Sequence, residues 1–178
     1  MIIGLTGYAQ SGKDTLAEIL VQKYGYTRVA FADPIRELLY EMNPAVKDGG
    51  YRLQGVVDGY GWDVAKTAFP EVRNLLQNLG VGARKTFGET FWIQQALRKV
   101  HFEGNFVITD VRFPNEAAAI RKYDNSQIWR IKRPGVGAVN PHVSETAMDG
   151  ERVDQIFVNS GTLEDLEVLI ATRMRAYV

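Results

Sequence analysis

Cysteine is absent from this chain of 178 residues, and histidine occurs only 2 times. Disulfides, thiolate metal sites and cysteine nucleophiles are excluded together, and a histidine-rich metal centre has too few ligands to form. An excess of one charge is lacking too, since 21 Lys and Arg balance 21 Asp and Glu. No overall field draws the chain to duplex nucleic acid or to an anionic membrane, so an anionic ligand has to be captured locally. No apolar run approaches the roughly 20 residues that cross a bilayer. Met1-Ile2-Ile3-Gly4-Leu5-Thr6 carries no basic stretch of the kind that opens a signal peptide. The expectation is a cytosolic, cytoplasmic protein with small-molecule partners, no nucleic acid and no membrane. Monomer and homodimer are not distinguished.

What is present is an ordinary globular composition, 46% apolar and 24% charged, enough for one sizeable core and far from the disordered class. Short apolar runs alternate with amphipathic stretches, the pattern of a mainly parallel sheet of about five strands with helices on both faces. Strands are expected at Ile2 to Leu5, Tyr26 to Ala32, Phe106 to Thr109, Gln127 to Lys132 and Gln155 to Val158. Lys13 to Tyr24 reads as a helix with Leu16, Ile19, Leu20, Lys23 and Tyr24 on one stripe. Asp33-Pro34 opens another, with Asp33 as its cap and Ile35, Leu38, Leu39 and Met42 as its buried face. Asn43 to Gly61 is rich in glycine and reads as a loop, and further helices are expected around Glu71 to Leu79, Phe91 to Val100 and Asn115 to Tyr123. Arg133 to Asp149 reads as a second loop. Thr162 and Asp165 are spaced as a capping box for a last helix whose inner face is Leu163, Leu166, Ile170, Met174 and Tyr177.

Gly7-Tyr8-Ala9-Gln10-Ser11-Gly12-Lys13 has the spacing of a Walker A phosphate loop, between a strand and a helix as that loop requires. Its glycines let successive backbone N–H groups turn toward phosphate oxygens, and the following helix adds the partial positive charge of its N-terminus. Gly7, Ala9, Gln10, Ser11, Gly12, Lys13, Asp14 and Thr15 are therefore the candidate nucleotide-binding residues, with Lys13 spanning the β and γ phosphates of ATP. Asp14 stands where the usual loop has Ser or Thr, and Thr15 follows it. Asp14 either takes over the magnesium contact or caps the helix.

Gly12-Lys13-Asp14-Thr15, Asp33-Pro34-Ile35-Arg36, Thr109-Asp110-Val111-Arg112-Phe113-Pro114-Asn115-Glu116, His142-Val143-Ser144-Glu145 and Asn159-Ser160-Gly161-Thr162-Leu163 occur in this order. Together they resemble the deoxynucleoside monophosphate kinases encoded by bacteriophages. The resemblance covers most of the chain and implies the three-layer P-loop kinase fold, with ATP and Mg2+ used to convert dNMPs to dNDPs. It implies a single domain over 1–178, with an acceptor-binding helical insertion at about 43–100 and a lid at about 133–149. Animal-type phosphomevalonate kinases share the Asp after the Walker lysine, and dephospho-CoA kinases share the general layout. Both remain alternative readings.

Asp110 ends an apolar strand at the carboxyl edge of the sheet, where open α/β sheets bind ligands. It reads either as a magnesium-holding or acceptor-positioning acid, or as a cap for the helix at Pro114. Arg36 and Arg112 follow strands and can clamp an acceptor phosphate bidentately. Arg130 and Arg133 precede the lid and are the candidates to neutralise the moving phosphoryl group, although Arg130 alternates with Ile128 in a way that also suits solvent. Arg73, Gln77 and Arg84 fall in what looks like the acceptor-side segment, with Gln77 suited to a base edge. Trp92 reads as a stacking surface or as core, Asp33 as a cap or a sugar contact, and His142 as a base or a structural residue. In P-loop kinases Asn159 and Gly161 would lie near the adenine ring; they serve equally as a turn. A GTPase switch is excluded, because Asp110-Val111-Arg112-Phe113 does not supply the Asp-x-x-Gly it needs. A non-catalytic P-loop module is the remaining alternative.

Overall fold

The run Ile2–Thr6 has almost nothing polar to turn toward water, and it becomes a strand buried along its whole length. The computed structural model describes residues 1–47, 50–100, 103–138 and 143–177. In chain order its elements are β1 (Ile2–Thr6), α1 (Lys13–Tyr24), β2 (Thr27–Val29), α2 (Asp33–Met42), β3 (Ala45–Lys47), β4 (Tyr51–Arg52), α3 (Leu53–Ala68), α4 (Pro70–Phe87) and α5 (Phe91–Leu97). They continue with β5 (Phe106–Ile108), α6 (Pro114–Ile120), β6 (Ser126–Lys132), α7 (Val143–Thr146), β7 (Gln155–Val158) and α8 (Leu163–Met174). The chain divides into two compact units, one formed by Met1–Ala30 with Lys99–Val178 and the other by Phe31–Arg98.

The first unit is a three-layer α/β fold. Its five strands run in the order β2-β5-β1-β6-β7, and every pair is parallel. Ile3 pairs with Val107 and Leu5 with Trp129, which puts these side chains on one face. There Leu16 and Leu20 of α1 and Leu166 and Ile170 of α8 pack on them. On the other face Ile120 of α6 lies against Gly4 and Ile128. The chain leaves β1 toward β2 on one side and later crosses to β6 on the other. The carboxyl end of β1 is therefore a topological switch point, the place where such sheets hold ligands.

Several expectations are corrected here. Lys23 is at the surface, paired with Glu167 at 2.7 Å, and Ala17 takes the inner position instead. Leu163 is exposed at the first turn of α8, while Leu166, Ile170 and Met174 face inward as expected. The stretch read as a loop after Arg133 contains the short helix α7.

The second unit has its own core of Leu39, Val46, Leu53, Val56, Ala65 and Val72, built by α2, α3 and α4 with the β3–β4 hairpin. Just under half of the segment expected to be a loop, Leu53 to Gly61, is the start of α3, which kinks at Gly61 with φ 74. Burial of Leu53 and Val56 outweighs a glycine penalty of about 1 kcal/mol per residue. In α2 the expected cap fails, because Asp33 is already helical and its side chain reaches Arg36 at 3.4 Å instead. Of that helix's expected inner face, Leu39 alone is buried, and Leu38 and Met42 are exposed. No helix among the described residues is long and apolar enough to cross a membrane.

Candidate active site

At the end of β1 the backbone turns through positive φ at Gly7 (138), Gln10 (63) and Gly12 (105) before α1 starts at Lys13. Such a winding gathers N–H groups around a concave centre suited to an anion. Two of these positions admit glycine only. A Cβ on Gly7 would lie 2.3 Å from the Ile131 carbonyl oxygen, and one on Gly12 would lie 2.4 Å from Nδ2 of Asn159. The loop is thus seated against the ends of β6 and β7. Ser11 is buried, and its Oγ has no hydrogen-bond partner among the described residues.

Lys13 arches back over the loop, its Nζ donating to the carbonyls of Gly7 at 2.7 Å and Tyr8 at 2.6 Å. Burial pushes its pKa down from the ordinary 10.5, the nearby Asp14, Glu145 and Asp110 opposing that shift and Arg112 adding to it. Asp14 is exposed on the first turn of α1, and Thr15 is half-buried beside it.

A cavity of about 570 Å³ opens over the loop, lined among others by Lys13, Asp110, Arg112, Arg130, Arg133 and Glu145. The structure therefore brings together all four candidate catalytic residues, Lys13, Asp110, Arg130 and Arg133. Asp110 is half-buried just beyond β5. The cap of α6 is not Asp110 but Glu116, a buried carboxylate that accepts from the backbone N–H of Arg112 at 2.7 Å and of Phe113 at 3.1 Å. Arg112 reaches the Glu145 carboxylate at 3.4 Å. Arg130 does not simply face solvent. Its guanidinium donates to the carbonyls of Asp149 at 3.2 Å and Glu151 at 3.1 Å and also to that of Met148, holding the turn that leads into β7. Arg133 is exposed at the cavity rim.

Sequence reasoning missed Tyr8, Asp149 and the role of Glu116. The Tyr8 hydroxyl donates to Asp149 at 2.7 Å, tying the phosphate loop to the turn before β7. That bond, with the charge of Asp149 and some burial, raises the Tyr8 pKa. Only Glu116 had a local signal, three residues after the helix boundary at Phe113 and two after Pro114. Asn159 donates from its amide to the Ser11 carbonyl at 3.0 Å. Gly161 is exposed in the turn leading to Thr162, where Thr162 and Asp165 form the expected capping box.

The remaining candidates, Asp33, Arg36, Arg73, Gln77, Arg84 and Trp92, belong to the second unit. Arg73, Gln77 and Arg84 recur at helical spacing along α4 and share a stripe. Trp92 is core: it is 2% exposed, and its indole N–H donates to the Gly80 carbonyl at 3.0 Å. His142 lies outside the described residues. Among the described residues no three His, Cys, Asp or Glu side chains converge as a metal cage. The available carboxylates, Asp110 and Asp14, fit magnesium, which takes one or two carboxylates and completes its shell with phosphate oxygens and water.

The sequence profile of a deoxynucleotide monophosphate kinase family matches residues 62–170. A protein of Acanthamoeba polyphaga mimivirus, provisionally described as a deoxynucleotide monophosphate kinase, is 28% identical over 93% of this chain and 91% of its own length. The dephospho-CoA kinase of Campylobacter jejuni aligns at 15% identity and TM-score 0.47, over 97% of this chain and 96% of its own. The shikimate kinase of Aquifex aeolicus aligns at 10% identity and TM-score 0.46, over 99% of this chain and 98% of its own. The fold assignment rests on the strand order and the phosphate loop rather than on these two likenesses.

Proposed function

The chain belongs to the deoxynucleotide monophosphate kinase family and is an ATP-dependent phosphotransferase; on that premise we propose that it carries the γ-phosphoryl group of ATP to a deoxynucleoside monophosphate. The observation that supports this reading best is the single cavity in which Lys13, Asp110 and three arginines line the mouth of a phosphate loop.

In the proposed reaction an α-phosphate oxygen of the acceptor forms a bond to the γ-phosphorus. The bond to the β,γ-bridging oxygen breaks, and ADP leaves with the electron pair. The attacking oxygen is already ionised at neutral pH, so no general base has to take a proton. What the protein must supply is alignment and charge neutralisation. The loop amides and Lys13 hold the donor phosphates, Lys13 exchanging its present carbonyl partners for phosphate oxygens. Arg133 and Arg112 neutralise the phosphoryl oxygens, and Arg130 holds the lid segment that excludes water. Asp110 and Asp14 are the residues that would hold magnesium, which would supply further neutralisation of phosphate charge. The acceptor is assigned to the second unit, with Arg36, Arg73 and Arg84 for its phosphate and Gln77 for its base.

The test is ADP release by the purified chain with ATP and magnesium against a panel of dNMPs, NMPs, dephospho-CoA and phosphomevalonate. Turnover with at least one dNMP is expected. A response confined to dephospho-CoA or phosphomevalonate, or no transfer to any acceptor by folded protein, overturns the proposal.

A further inference from the structure

Asn159 sits in the turn between β7 and α8, 148 positions away in sequence from the loop residue it touches. Two hydrogen bonds hold it, one from its backbone and one from its side chain. Its backbone N–H donates to the Lys132 carbonyl at 2.8 Å, extending the β6–β7 ladder by one rung. Its side-chain amide donates to the Ser11 carbonyl at 3.0 Å. The amide also packs so closely on Gly12 that no side chain fits there. The turn that carries it is itself rigid, because Thr162 and Asp165 close the N-terminus of α8 reciprocally.

Ser11 and Gly12 are the two residues before Lys13, at the point where the backbone swings from the loop into α1. A peptide unit whose carbonyl is pinned outward by Asn159 has its N–H side fixed as well, because the peptide group is planar. From this we infer that Asn159 is a positioning residue. It holds the Ser11–Gly12 peptide so that the amides that follow, and Lys13 with them, point at the phosphates. Its effect falls on the phosphate chain and is indifferent to the base. The inference rests on the nucleotide-binding reading of the loop.

A ligand without a base separates this role from an adenine contact. The dissociation constants of ATP and of inorganic tripolyphosphate, both with magnesium, are measured by calorimetry for the wild-type chain, Asn159→Ala and Asn159→Leu. Leu has a branched shape close to that of Asn, is uncharged and has no N–H to donate, so it serves if the alanine variant folds poorly. Loss of one such bond predicts that both ligands weaken by the same factor, about three- to tenfold. The KM for ATP rises correspondingly, while the KM for the acceptor stays unchanged. Weaker ATP binding with tripolyphosphate unchanged in the folded variants assigns Asn159 to the base and overturns the inference, as does wild-type binding of both ligands. If the wild-type chain binds neither, the reading of the loop falls and this inference falls with it.

Discussion

The ammonium of Lys13 is held by carbonyls of its own loop and stripped of much of its water. A lysine in that position carries its proton less firmly than one in water. Phosphate oxygens restore the lost stabilisation of the charge, so nucleotide binding raises the pKa again and takes up a proton in the interval between the two values. ATP affinity should therefore be flat near neutrality and fall as pH rises through the depressed pKa of the free protein, below 10.5. Titrations from pH 7 upward check this, and the decline should be missing in Lys13→Ala. That variant should also lose at least about a hundredfold in turnover with an unchanged melting curve, because Lys13 faces the ligand and not the core. Its loop was legible from the spacing of two glycines and a lysine, since those residues act on neighbours in sequence. The bonds of Tyr8 to Asp149 and of Asn159 to Ser11 were not, because they join segments more than 140 positions apart.

Among the elements, α6 shows how a short helix positions a site it does not enter. Glu116 lies in its first turn and satisfies two backbone donors of the 110–113 connection, the stretch that presents Asp110 and Arg112 to the cavity. Replacing it with alanine takes a charged acceptor away from two partly buried N–H groups. The expected cost is about 2–4 kcal/mol of stability, from about 1–2 kcal/mol for each group, with a fall in kcat/KM. Glu116→Gln keeps an acceptor oxygen and should lose less of both; thermal melts and steady-state rates compare the two. Elements with local signals read correctly from sequence: β1 from its unbroken apolar run, α1 from its glycine entry, α8 from the Thr162–Asp165 box. α3 escaped because Gly55, Gly59 and Gly61 argue against a helix, and only tertiary burial of Leu53, Val56 and Ala65 overrules them. Asp33 misled for the converse reason. A residue type suited to a cap stands inside the first turn of α2, with Arg36 one turn on.

At the scale of the molecule, each of the two units has core residues of its own among those described, and residues of similar appearance in sequence count very differently. Leu16 is fully enclosed between α1 and the sheet, while Leu38 keeps 42% of its surface in solvent. Leu16→Ala should cost about 2–5 kcal/mol and lower the melting temperature markedly. Leu38→Ala should stay within about 0.5 kcal/mol of wild type, although both leucines satisfy the same helical periodicity. Denaturant unfolding of the two variants tests the contrast, and comparable losses would show that the α2 surface is covered in solution. Periodicity reveals which face of a helix can be buried. It does not reveal whether another element arrives to cover it, which is why the inner face of α1 was legible and that of α2 was not.

The seat of the phosphate loop has one more consequence. Wedged against the Ile131 carbonyl at one end and the Asn159 amide at the other, the seven residues from Gly7 to Lys13 have been ordered during folding. Freezing a slack segment at the moment of capture would cost about 1–2 kcal/mol per residue. Here an arriving polyphosphate meets a socket already cast, and little of its binding energy is diverted into shaping the protein around it.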